Sequence, residues 1–342
     1  MLEIRPTLCL VTATPMKVVV RGALQPPARI GPMGWTVHVG SAQSHLAWDN
    51  SLPPVVTVAP GDELELELLD ASGGQITAGD DDGAIAGLDF SAVNPCTGPV
   101  LVEEAQPGDD LVVTLLGIDS ADWGWTANIP GFGLLADDFP EPKLRISTVK
   151  GDVVTFGPGI EIPARRMIGT IGVARAAPGP TPLLVPTDAG GNMDVAQMCL
   201  GTRLHLPVQV QGALFSAGDT HAVQGDGEVC GTGVETPATL RARFDVVPGA
   251  ASPSPWYEYE YEHAAPGPDA SEPWAATTGI GPDLFAAARA ATRRAVELVA
   301  RSGPDPIDAY LLLSLVGELR VSEIVDAPNW VVSMHVPRRY LA

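Results

Sequence analysis

Residues 218–228 place Asp219, His221, Gln224, Asp226 and Glu228 among three glycines, Gly218, Gly225 and Gly227. Extended backbone sends residues two apart to the same side. Asp219 with His221, and Asp226 with Glu228, can therefore each present a pair to one cavity. Carboxylates, an imidazole and a carboxamide converging in this way suit a hard or borderline divalent cation with a bound water. The competing reading is a polar hairpin loop whose Asp and Gln side chains satisfy backbone groups. The density of ligand-type residues beside the apolar run 204–215 favours the cavity.

Three further clusters could contribute. His45 stands in the polar-aromatic segment 44–50, ahead of a Pro-Pro turn, and distant loops commonly meet at a site built on a β-sandwich. Gly190 and Gly191 would let backbone approach a ligand, with Asn192 and Asp194 as polar heads. Asp80, Asp81 and Asp82 are read as a solvated acidic loop. His38, His205, His263 and His335 lie within apparent strands or loops, are taken to be without carboxylate company and are read as structural. Absent motifs narrow the chemistry. The three lysines, Lys17, Lys143 and Lys150, lack the neighbouring segments that a Ser-Ser-Lys or Glu-Lys-Cys amide hydrolase needs. No G-x-S-x-G elbow, H-E-x-x-H helix or phosphate-cradling glycine loop occurs. Hydrolysis here would use an activated water rather than a protein nucleophile.

The elements that must position these residues are mostly strands. Glycine (37) and proline (33) are abundant and aperiodic among short apolar runs, which points to many tight turns. Three segments repeat one pattern, a turn ending in Gly-Asp followed by an alternating strand: 59–69, 106–116 and 150–156. In the first, Leu64, Leu66 and Leu68 face one way and Glu63, Glu65 and Glu67 the other. Residues 204–215 read as one buried strand entering a glycine-rich loop, and 241–247 as another strand. A helix is expected over 282–302, with Leu284, Phe285, Ala288, Ala291, Ala295, Leu298 and Val299 on its apolar face, then a helix over 308–316 and a strand over 331–336. The expected fold is mainly β, a jelly-roll-like sandwich or barrel, with an α+β C-terminal portion. Its divisions are a loosely attached extension over 1–35, a β-rich body over 36–248 and the α+β portion over 249–342.

A net charge of −21 repels phosphate backbones and anionic membrane surfaces, so neither nucleic acid nor a membrane is an expected partner. Four widely spaced cysteines form no CxxC pair and are expected as reduced thiols in a cytoplasmic protein.

Several strings are similar to the acetamidase/formamidase family: 190–194 (GGNMD), 206–235 (with GALFSAGDTHAVQGDGE at its centre), 95–109 and 138–143. They stand in the family's order, and the similarity runs from about residue 36 to the C-terminus. The resemblance implies a jelly-roll-like β body, an oligomer and hydrolysis of small amides such as formamide or acetamide to ammonia and a carboxylate. The matching positions are Asn192, Asp194, Asp219, His221, Gln224, Asp226 and Glu228. His45, Asp219 and His221, with Asp226 as a further candidate ligand, are expected to hold a divalent metal, zinc first and calcium as the alternative. Glu228, Asp226 and Asn192 are expected to be catalytic, and Gln224 and Asp194 to bind substrate. One departure stands out: the family often carries histidine where this chain has Asn94. It keeps open a non-catalytic cation- or ligand-binding module, and a hydrolase of larger amides, carbamates or ureides.

Overall fold

The computed structural model describes residues 28–29, 37–260 and 273–341. Except for Ala28–Arg29, which pairs parallel with Val56–Thr57, the 1–35 extension lies outside the described residues, as does His263. Two large open sheets stack face to face, so the sandwich is realised and the barrel is not. The seven-stranded sheet runs Ala28–Arg29, Val56–Val58, Cys96–Val102, Phe215–His221, Met167–Val173 and Gly190–Asn192, with Ser44–His45 also paired to Cys96–Val102. The nine-stranded sheet contains Glu63–Leu68, Ala238–Val247, Asp110–Ser120, Arg203–Pro207, Trp256–Glu260, Pro273–Gly281 and Trp330–Pro337 among its members. It passes residue 248 without interruption, because Arg203–Pro207 is hydrogen-bonded to Trp256–Glu260.

Alternation explains the sandwich. Along Glu63–Leu68 the three leucines are buried and the glutamates face outward. Leu64 and Leu66 join Leu111, Val113, Leu204, Phe244 and Tyr257 from their own sheet. Opposite them lie Val56, Val100, Ile168, Ile171 and Phe215. The Gly-Asp turns form as expected: Gly61, Gly108 and Gly151 have φ of 91°, 97° and 56°. A separate four-stranded sheet, built from Trp123–Asn128, Lys143–Lys150, Val153–Gly157 and Ile160–Pro163, flanks the body.

Three expectations need correction. The run 204–215 is not one strand. It ends at Pro207, turns through Gly212, Ala213 and Leu214 (φ 75°, 58° and 57°), and resumes as Phe215–His221. Gly218 to His221 is thus fully buried strand rather than glycine-rich loop. Phe285 is 73% exposed, and the buried face of helix Leu284–Ala300 consists of Ala287, Ala291, Ala295 and Val299. His205 does have carboxylate company: its Nδ1 lies 2.6 Å from Asp110 Oδ2 on the adjacent strand, a pairing that sequence separation conceals.

Small residues let that helix press onto the sheet. A Cβ added at Gly279 would lie 2.7 Å from Ala291 N and 2.8 Å from Ala287 C. Both are backbone atoms and cannot rotate away. Gly279→Ala is expected to destabilise the fold by about 1–3 kcal/mol, read from denaturant midpoints. No helix among the described residues is long and apolar enough to cross a membrane. The described cysteines, Cys96, Cys199 and Cys230, are free thiols.

Candidate active site

Four adjacent strands carry one row of the site across the first sheet. Cys96 pairs with Gly218, Gly218 with Thr170, and Thr170 with Asn192. Asn94 precedes the first of these positions, Asp219 follows the second, and Asp194 lies two residues beyond the last. Their side chains meet in a buried network. Asn94 Nδ2 lies 2.8 Å from Asn192 Oδ1 and 3.2 Å from Asp219 Oδ2. Thr170 donates its hydroxyl to Asn192 Oδ1, while Asn192 Nδ2 donates to Asp326 Oδ2 at 2.6 Å. Asp326 comes from the turn after Glu318–Glu323, whose neighbour Ser322 holds the Glu228 loop through Gly227 N at 2.9 Å.

His221 ends its strand by bridging to Glu235. Gln224 Nε2 donates to the carbonyl of Asp194 at 2.6 Å, which turns Gln224 Oε1 toward His221 Nδ1 at 2.8 Å. An amide oxygen only accepts, so Nδ1 carries the hydrogen and Nε2 presents its lone pair when the ring is neutral. Facing Nε2 are Glu235 Oε2 at 3.0 Å, Asp219 Oδ1 at 3.2 Å and Asp194 Oδ1 at 4.0 Å. A lone pair opposed by carboxylates is repulsive unless a proton or a cation lies between them.

Electrostatics carries the same message. Asp194, Asp219, Glu228, Glu235, Glu323 and Asp326 are all buried. Burial, reinforced by Asp219 and Asp326, pushes the Asp194 carboxyl well above the carboxylate range. Glu228 is driven up in the same way, by burial and then by Asp194. Burial raises Glu235 to about 7. Burial alone would lower His221, but Glu235 and Asp219 outweigh it and hold the ring well above its usual value. For Asp219 burial is likewise outweighed, here by His221, and the carboxyl is held low. Neither oxygen of Asp194 receives a hydrogen bond from any amide, hydroxyl or ring donor.

The backbone is also unusual here. Among the described residues seven non-glycines have positive φ, and four are Asn94 (48°), Asp194 (43°), Asp219 (55°) and Glu228 (42°). Left-handed backbone costs on the order of 1–3 kcal/mol at such residues and collects where function over-determines geometry.

Six of the eight expected site residues meet here: Asn192, Asp194, Asp219, His221, Gln224 and Glu228. The other two do not. His45 pairs beside Cys96, but its Nε2 lies 2.8 Å from Ser216 Oγ and burial pushes the ring down to about 4. Asp226 points to Arg320 at 3.5 Å and to Gln197 Nε2 at 3.3 Å, because two residues along this loop is not two residues along a strand. Gln224 spends both ends of its carboxamide inside the protein, so it orients His221. Sequence reasoning missed Thr170, Glu235, Glu323 and Asp326. Glu235 lay inside the quoted 206–235 string, but only the bridge to His221 reveals its part. Two groups could hold a metal ion: Asp219, His221 and Glu235, or Asp194, His221 and Glu228.

A cavity of about 160 Å³ opens onto this cluster, lined on its polar side by Asn94, Asn192, Asp194, Asp219, Glu228 and Asp326. Comparison with known proteins agrees with the geometry. The model of the acetamidase/formamidase family matches residues 36–182 and 181–341. A formamidase from Methylophilus methylotrophus is 27% identical over 367 residues, covering 86% of this chain and 88% of its own. The acetamidase structure from Bacillus halodurans aligns with a TM-score of 0.82 at 31% identity, over 89% of this chain and 98% of that one. A predicted acetamidase/formamidase from Thermoanaerobacter tengcongensis aligns at 0.81 and 29% identity, over 91% and 97%.

Proposed function

Since the chain belongs to the acetamidase/formamidase family and is a hydrolase of small linear amides, we propose that the reaction takes place at the cluster around His221, with a divalent cation on the Nε2 side and Glu228 as the proton-transferring carboxylate. The observation that carries this reading is the orientation of His221. Gln224 occupies Nδ1, so the ring offers Nε2 toward Asp219 and Glu235. Those three residues would hold the ion. Glu228 Oε1 lies 3.9 Å from Nδ1, the nitrogen already committed, which leaves its carboxylate for the substrate. A nitrogen ligand with carboxylates suits zinc better than calcium, which favours oxygen alone. Such an ion, when bound, polarises an amide carbonyl and lowers the pKa of a water toward ~7.

The residues divide the remaining work. Glu228, which lines the cavity beside the cluster, would take a proton from the water and return it to the departing nitrogen. Asp194, which takes no hydrogen bond from any amide, hydroxyl or ring donor, would accept an N–H hydrogen of the amide and fix which face of the carbonyl is attacked. Asn192 and Thr170 position Asp219 and Asp326 rather than touch the reacting atoms. Asn94, standing where the family often has histidine, is built into this network and completes it, which argues against a purely ligand-binding module. A homo-oligomer would cover the exposed apolar residues Phe285, Ile307, Tyr310 and Leu319 of the C-terminal portion. Ammonia release from acetamide should vanish on chelation and return when zinc is restored; undiminished release from the chelated enzyme would remove the ion from this scheme.

A further inference from the structure

Resting on that reading of the site, we infer that the chain carries an acyl-binding wall and hydrolyses straight-chain aliphatic amides of three or four carbons in preference to acetamide. The polar groups described above line only part of the cavity. Leu88, Phe90, Val93, Ile129, Phe132 and Leu184 line the rest, together with Trp125. Part of this wall comes from a small hydrophobic cluster distinct from the sandwich core, in which Ile129 and Trp125 are buried and Leu88 and Phe132 pack only partly buried against them.

Polar atoms on this wall are already used. Trp125 donates its indole N–H to Asp70 Oδ1 at 3.0 Å. Ser72 accepts from the amide of Ile76 at 3.0 Å and gives its hydroxyl to the same Asp70 oxygen. Thr232 Oγ1 receives the amide of Ala127 at 3.0 Å and donates to the carbonyl of Ala127 at 3.2 Å. The wall therefore has no polar handle for a ligand and can recognise only hydrocarbon. Opposite it, Asp194 lines the cavity and takes no hydrogen bond from any amide, hydroxyl or ring donor. A ligand that satisfies both sides has an amide head and an alkyl tail.

Size narrows the tail. Formamide has three heavy atoms and acetamide four, and either would leave most of the apolar lining in contact with water. A cavity of about 160 Å³ is small beside the several hundred Å³ typical of drug-sized ligands, which disfavours long or bulky acyl groups. Propionamide and butyramide place one and two further methylenes against the wall. Their carbonyls are of similar intrinsic reactivity to that of acetamide, so a gradient among the three reports the wall rather than the chemistry.

The test is kcat/KM for ammonia release from acetamide, propionamide and butyramide by the ion-loaded full chain. Burying a methylene is expected to raise kcat/KM about fourfold per step. Leu88→Ala should flatten the gradient, and Leu88→Trp, which fills the cavity, should lower butyramide relative to acetamide by roughly tenfold. A flat or falling gradient in the native chain, with acetamide still hydrolysed, would overturn the acyl wall and leave the hydrolytic site standing. No ammonia from any of the three would overturn the site, and the wall with it.

Discussion

Glu228→Gln is expected to lower kcat for amide hydrolysis by about 10²–10⁴-fold, the usual contribution of a positioned general base. The substitution keeps shape and hydrogen-bonding reach but abolishes proton transfer. It should also leave the fold intact. Burial and the neighbouring Asp194 already disfavour the charged form of this carboxyl, so a neutral amide suits the position electrostatically. Because Glu228 lies toward Nδ1 of His221 rather than Nε2, the variant should keep its bound ion. Steady-state kinetics with parallel ion analysis separates the two roles. Loss of the ion along with activity would make Glu228 a ligand, and unchanged kcat would remove it from proton transfer.

Gly169→Ala should be nearly as damaging, although Gly169 carries no functional group. It sits in the strand Met167–Val173 beneath the cluster. A Cβ there would collide with Asp194 Oδ1, stand 2.7 Å from Asp219 Oδ2 and lie 3.1 Å from Asp219 O. Both carboxylates would have to move, and each is held by left-handed backbone, so little slack exists. Displacements near 1 Å at a catalytic group can cost 10²-fold in rate, and about that loss in kcat/KM is expected. The stability cost should be only about 1–3 kcal/mol, the range for overpacking, so the protein should remain folded when assayed. Wild-type kinetics in a folded Gly169→Ala variant would mean that the positions of Asp194 and Asp219 do not matter.

How much of this was legible in the sequence depends on the range of the interactions involved. The alternation of Glu63–Leu68, the Gly-Asp turns and the extent of the helix Leu284–Ala300 are local patterns and fold as read, although the buried face of that helix does not. The run 204–215 misled because a buried strand, a tight turn and a second buried strand are all apolar; the break is marked only by Pro207 and Gly212. The candidate site divides along the same line. Asp219, His221, Gln224 and Glu228 were visible because one short segment holds them. Asp326 was not, since it reaches Asn192 across 134 residues through sheet pairing and a turn. His45 shows the opposite error. It arrives beside Cys96, one strand from the cluster, yet its ring is engaged by Ser216, and no spacing rule could have told these two outcomes apart.

The central claim is that His221 Nε2, Asp219 and Glu235 seat a single cation on which amide hydrolysis depends. It is tested most directly by titrating ion-free enzyme with zinc while following ammonia release from acetamide. Both candidate ligand groups share His221, so they cannot be filled independently. Activity should start near zero, rise in proportion to added zinc and level off at about one equivalent per chain. Full ammonia release from the ion-free enzyme would contradict the account.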